Sequence, residues 1–194
     1  MDANLLIVAL LILALIAIAL FFQQRRSRTH HLQREFGPEY GRAVHDMGSR
    51  DKAEAELLAR RKRVDKLHIV PLSPSDAQHF GQAWRSLQAR FVDNPRGVLA
   101  EADVLVRELM KKRGYPVGDF DRRAADISVH HPAVVEHYRA AHDLTERERD
   151  GQVDTEGMRQ AVIHYRALFA DLLQTQDDPG EPHGRHHPEM RTSA

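Results

Sequence analysis

The chain has 194 residues, with 28 Lys/Arg balanced by 28 Asp/Glu, 13 histidines and no cysteine. That length suits one modest domain with extensions, and the lack of cysteine excludes disulfides, thiolate zinc sites and a cysteine nucleophile. The balance hides an asymmetry, because residues 23–70 hold 12 Lys/Arg against 7 Asp/Glu whereas residues 71–194 hold 16 against 20. A basic neck before a mildly acidic body argues against a nucleic-acid-binding body and leaves only the neck open to such a partner.

The first element is "LLIVALLILALIAIALFF", Leu5 to Phe22, which is 18 residues without a charged or polar side chain. As a helix it spans roughly 27 Å, close to the hydrocarbon thickness of a bilayer. A cleaved signal peptide is the competing reading. Against it, the preceding residues carry no Lys or Arg, and Ala17-Ile18-Ala19 lies inside the apolar run with no polar stretch before it. A retained transmembrane anchor over 1–22 is therefore expected. Arg25, Arg26 and Arg28 flank it directly, and positive flanks stay cytoplasmic, so the body is expected inside the cell membrane as a single-pass protein. The same arginines are placed to meet anionic headgroups, at about 1 kcal/mol each. A secreted or outward-facing body would require the charge rule to fail.

Residues 23–70 form the basic juxtamembrane neck. "QQRRSRTHHLQREF" continues the helix out of the bilayer until Gly37-Pro38, since proline disfavours helix in the residue before it. "PEYGRAVHDM" is a short helix broken near Gly48-Ser49. "RDKAEAELLARRKRVDKL" is strongly helix-prone, but its apolar stripe of Ala53, Leu57, Leu58, Val64 and Leu67 is thin. A solvated stalk or coiled-coil partner is the expectation there. Its basic run with interleaved acids is weak grounds for nucleic-acid binding.

The helical bundle domain is expected over 71–174. Ser73 caps a helix started by Pro74, with Phe80, Trp84, Leu87 and Phe91 on one face. Asn94 and Pro95 repeat the pattern, with Val98, Ala102, Leu105 and Leu109 in register and Gly114 as the stop. "GYPVGDF" is a turn, and Asp119 caps a short helix. Another helix is expected to begin around Pro132. Asp154 or Thr155 opens the last, with Met158, Val162, Tyr165, Phe169 and Leu172 aligned. No alternating strand pattern occurs, so four main helices with short loops point to an all-α antiparallel bundle. Residues 175–194 lack apolar periodicity and read as a disordered His-rich tail.

"HYRA" occurs twice, at 137–140 and 164–167. Tyr138 and Tyr165 both fall on the apolar stripe, with the arginines about 100° away. Interhelical packing, with each hydroxyl sent to a partner, explains this more simply than a shared pocket. His130, His131, His137 and His142 lack the three- or four-residue spacing of helical metal ligands, and no H-E-x-x-H is present. The tail's His183, His186 and His187 can hold divalent metal only loosely. Asp126, Ser128, His130 and His131 contain the residue types of a hydrolase triad, but a triad is defined by geometry, and a loop with a helix cap accounts for them. No P-loop, G-x-S-x-G or dinucleotide fingerprint appears. No catalytic, cofactor-binding or metal-ligating residue is therefore expected.

In the segments "VPLSPSDAQHFGQAWRSLQARFVDNPRGVLAEADVLV", "KKRGYPVGDFDRRAADISVHHPAVVEHYRAAH" and "DTEGMRQAVIHYRALFADLL" the chain resembles a family of uncharacterised bacterial proteins that pair an N-terminal hydrophobic segment with a helical domain. The resemblance covers roughly residues 35 to 174 and carries over no site residues. The functional expectation is a membrane-anchored helical module that binds a protein partner, through residues 50–66 or the "GYPVGDF" turn. The alternative is a tethered enzyme with a cleft between bundle helices. Oligomeric state is not set by the sequence.

Overall fold

The computed structural model describes the backbone of residues 3–174; residues 1–2 and 175–194, and the side chains of residues 3–10, 14 and 21, fall outside it. The expected tail, with His183, His186 and His187, therefore lies outside the described residues, as does part of the anchor expected over 1–22. The described residues form eight helices and no strand: α1 (Ala3–Phe36), α2 (Pro38–Met47), α3 (Arg50–Val64), α4 (Pro74–Ala89), α5 (Pro95–Lys112), α6 (Phe120–His130), α7 (Val135–Arg149) and α8 (Thr155–Gln174). The fold is all-α. Among the described residues, no helix is long and apolar enough to cross a membrane.

Short polar residues set the boundaries. Ser73 Oγ accepts from Asp76 N, Asn94 Oδ1 from Gly97 N, Asp119 Oδ1 from Arg122 N and Asp154 Oδ1 from Gly157 N, each satisfying an amide that the first helical turn leaves without a partner. Gly37 ends α1 at φ 47° and Gly48 ends α2 at φ 64°, both in the left-handed region that glycine enters without penalty. The helix expected from Pro132 begins instead at Val135, after a turn in which Val134 N and Val135 N both donate to His131 O. His131 is held by Asp171 of α8, and this anchor keeps the chain in a turn beyond the proline.

Two cores form. The larger unites α4, α5, α7 and α8 with part of α6. Most of the expected stripe residues are buried in it, from Phe80, Trp84 and Leu87 to Met158, Val162, Tyr165, Phe169 and Leu172, while Phe91 and Leu105 are only half-buried at its edge. Trp84 and Phe169 stack with ring centres 4.6 Å apart. The smaller core gathers Leu32 and Phe36 of α1, Tyr40 and Ala43 of α2, Ala53, Leu57 and Val64 of α3, and Val129 of α6. This corrects the solvated stalk. One face of α3 is covered by α1, α2 and α6, and even Glu54 and Arg60 on it are buried. The neck thus folds back on the body, with Val129 of α6 packed into the neck's core and Ile69 packed against both cores.

Candidate functional site

Three arrangements invite a functional reading: the basic mouth where α1 leaves its apolar stretch, the polar seam between neck and body, and the two HYRA segments.

The basic mouth is built by the return of α3 alongside α1. A cleft of about 810 Å³ is lined by Phe22, Arg25, Arg26, Thr29, His30 and Gln33 of α1, Val44 of α2, and Arg50 and Asp51 of α3. Arg25 pairs with Asp51, and this contact raises the guanidinium's proton affinity further. Thr29 Oγ1 donates to Glu54 Oε1 at 2.7 Å, and Tyr40 OH donates to the same oxygen at 3.0 Å, which locks α1, α2 and α3 together below the cleft. Arg26 and Arg28 are exposed; Arg26 lines the cleft and Arg28 does not. The structure thus divides the three flanking arginines into a paired one, a cleft-lining one and an outlying one.

The seam centres on Glu39, buried at 1% exposure in the first turn of α2. It accepts from Arg60 Nη1 of α3 at 2.7 Å and from Arg139 Nη2 and Nη1 of α7 at 2.9 and 3.2 Å. Burial pushes the Glu39 carboxyl above its ordinary value, with Arg139 and Arg60 opposing. Burial likewise draws the Arg139 guanidinium down, against Glu39. Beside it, Asp126 of α6 is 1% exposed and accepts from Arg63 Nε at 2.7 Å. Sequence reading missed this seam. A buried ion cluster carries no periodic signal, and Arg60 and Arg63 sit in a run that reads as a solvated face.

The HYRA segments meet across α7 and α8 like with like. Tyr138 and Tyr165 are both fully buried, with ring centres 6.3 Å apart. Tyr138 OH accepts from Arg123 Nε at 3.0 Å. Tyr165 OH donates to Asp103 Oδ1 at 3.1 Å and lies 3.1 Å from Thr145 Oγ1. Burial raises both phenols, so both stay protonated. His137 and His164 place their Nδ1 atoms 2.9 Å apart, and burial lowers the His164 ring, with His137 adding to it. The arginines diverge: Arg139 reaches Glu39, while Arg166 is exposed.

The triad-type residues do not converge. Ser128 Oγ donates to Ala125 O at 2.7 Å, Asp126 faces Arg63, His130 Nδ1 lies 2.9 Å from Tyr115 OH and His131 faces Asp171. They sit in and just after α6, not in a loop. His142 stacks on Phe120, with ring centres 3.6 Å apart, and burial lowers its pKa. Among the described residues no group of three or more His, Asp or Glu is placed to hold a metal ion. A second cleft, of about 590 Å³, runs between α2, α6 and α7, with Asp119, Asp121, Glu136, Asp143 and Glu146 facing Arg42, Arg139 and His142. The "GYPVGDF" turn is pinned at its ends by buried Tyr115 and half-buried Phe120, with Pro116 to Asp119 exposed.

These features define a class: an all-α protein with two linked cores and a basic cleft at the foot of its first helix. Compared with known family models, curated proteins and solved structures, the chain finds no match.

Proposed function

We propose that the protein is a single-pass membrane protein whose helical body lies on the cytoplasmic side and binds a protein partner. One observation carries this reading. Leu11, Ile12, Leu13, Leu15, Ile16, Ile18, Leu20 and Phe22 are each 52–67% exposed. At 100° per residue these positions cover about 220° of the circumference of α1, and exposed Ala17 falls in the remaining arc. An exposed apolar belt that wraps well over half of a helix has no stable place in water, and the uncharged run of which it is part matches a bilayer in length. The arginine flank supports the orientation.

We also propose membership of the bacterial family that the bundle segments resemble. Partner contact falls to the exposed face of α3 beyond the basic cleft (Lys52, Ala55, Ala59, Lys62) and the Pro116–Asp119 turn tip. Tethering raises the local concentration of the body for partners at the membrane without new contacts.

Alkaline carbonate extraction of membranes and protease treatment of spheroplasts test the anchor and its sidedness. The protein is expected in the pellet, with its body protected from outside protease. Release into the supernatant, or digestion of the body in intact spheroplasts, would refute the reading. Proximity labelling with the full chain and with a form lacking residues 1–22 tests the partner. Identical neighbours at identical levels would remove the case for a tethered adaptor.

A further inference from the structure

We propose that the cleft at the foot of α1 binds the headgroup phosphate of an anionic phospholipid. The inference rests on the membrane reading above and gives it a specific lipid contact.

Position is the first ground. The cleft begins at Phe22, the last residue of the apolar run, and follows α1 to Gln33. At about 1.5 Å per residue, Arg25 and Arg26 lie roughly 5–6 Å beyond Phe22, within the headgroup layer of about 5–8 Å outside the hydrocarbon, and the rest of the cleft opens beyond it. A phospholipid whose acyl chains lie along the exposed Leu15, Ile18 and Phe22 side chains brings its phosphate to this height.

Charge is the second. Arg25, Arg26 and Arg50 and the His30 ring face a single carboxylate, Asp51, which Arg25 already engages. Arg26 and Arg50 have no ion pair among the described residues. The N-terminus of α3 forms one wall, and Ser49 Oγ and Ser49 O take the amides of Lys52 and Ala53. The positive end of that 15-residue helix therefore adds to the field of the arginines. Guanidinium groups offer the planar, forked donors that suit phosphate oxygens.

Size is the third. About 810 Å³ exceeds what a bare phosphate fills and accommodates a glycerophosphate headgroup with its polar substituent. Thr29 and Gln33 add neutral polar groups along the same wall. The return of α3 onto α1, which the sequence did not foretell, is what turns a flanking charge cluster into a concave site.

The test uses the full-length protein in nanodiscs of phosphatidylcholine alone or of phosphatidylcholine with phosphatidylglycerol, read by native mass spectrometry of lipid retained after detergent extraction. The wild type is expected to retain phosphatidylglycerol selectively. The double variant Arg26→Gln/Arg50→Gln is expected to lose this retention by about thirtyfold, the product of about five- to sixfold for each arginine at a lipid surface. Arg28→Gln removes a neighbouring charge outside the cleft and is expected to leave selectivity intact. Equal loss in Arg28→Gln would show diffuse surface charge and overturn the proposal. Displacement of the lipid by inorganic phosphate at matched phosphate concentration would also overturn it, showing that the site takes free anion. Protein that enters phosphatidylcholine discs but shows no lipid preference removes this inference and leaves the anchor standing, whereas failure to enter either disc removes both. Circular dichroism melts of the two variants check that the exposed substitutions leave the fold unchanged.

Discussion

Tyr165→Phe removes one oxygen and leaves the buried Asp103 carboxylate with Arg107, at 3.1 Å, as its remaining ion-pair partner. A buried acceptor that loses a donor costs about 1–3 kcal/mol, so an unfolding free energy lowered by that much, with a lower urea midpoint, is expected with the helical spectrum retained. An unchanged midpoint would mean the hydroxyl is not the partner of Asp103. His164 makes a prediction of opposite character. Burial and His137 depress its pKa below the ordinary histidine value, so the folded state binds its proton less readily than the unfolded chain. The stability from neutral His164 is present above the unfolded value of about 6.5 and is lost as pH falls through the lower folded value. His164→Gln is therefore expected to flatten the acid limb of a stability–pH curve measured by urea titration, and an unaltered limb would refute it. Glu39 lies under two arginines in a site where isolated charge is expensive. Glu39→Ala leaves Arg60 and Arg139 with only the more exposed Glu56 and Glu136 as ion-pair partners and is expected to cost about 3 kcal/mol, while replacing all three by methionine should cost much less. Equal losses would show that the ion cluster does not act as a unit.

At the α5–α6 junction, a single backbone approach fixes how the body meets the neck. Gly114 has φ 94°, and a Cβ there would lie 2.2 Å from His68 O, while Arg113 O accepts from Val70 N at 2.9 Å. Gly114→Ala is expected to destabilise by about 2 kcal/mol or more, through left-handed strain and the clash together, read as a lowered thermal midpoint; a midpoint within one degree of wild type would contradict it. This stop was visible in the sequence, as were the caps at Ser73, Asn94, Asp119 and Asp154, because a short polar residue before a proline or an apolar period has one local use. The start of α7 was not visible. Pro132 has the grammar of a first helical residue, yet the contact of His131 with Asp171, forty residues away in sequence, overrides it. The packing of α3 was hidden for a related reason. Its stripe of Ala53, Leu57 and Val64 is narrow, and the adjoining Glu54 and Arg60 are buried only because Thr29, Tyr40 and Glu39 wait on other helices.

The two cores differ in size, and this difference sets the order in which the molecule should come apart. Among the described residues, twenty-three buried apolar residues make up the larger core and eight the smaller, so the α1–α3 unit has less burial to hold it. In hydrogen exchange under rising denaturant, amides of residues 38–64 are expected to open before those of α5, α7 and α8; simultaneous opening would indicate that the Glu39 and Asp126 seam welds the two into one cooperative unit. The HYRA pair was legible as packing for its tyrosines, whereas Arg139 became a tether between the cores only once α2 was placed beside α7. α1 itself runs from Ala3 to Phe36 without a break, and its last two turns are clamped by Leu32 and Phe36 in the smaller core. A rod fixed at one end has no joint at which to absorb a lean, so tipping its greasy half would swing the α2–α3 pair with it, and the load would fall on the Glu39–Arg139 and Arg63–Asp126 links to the bundle.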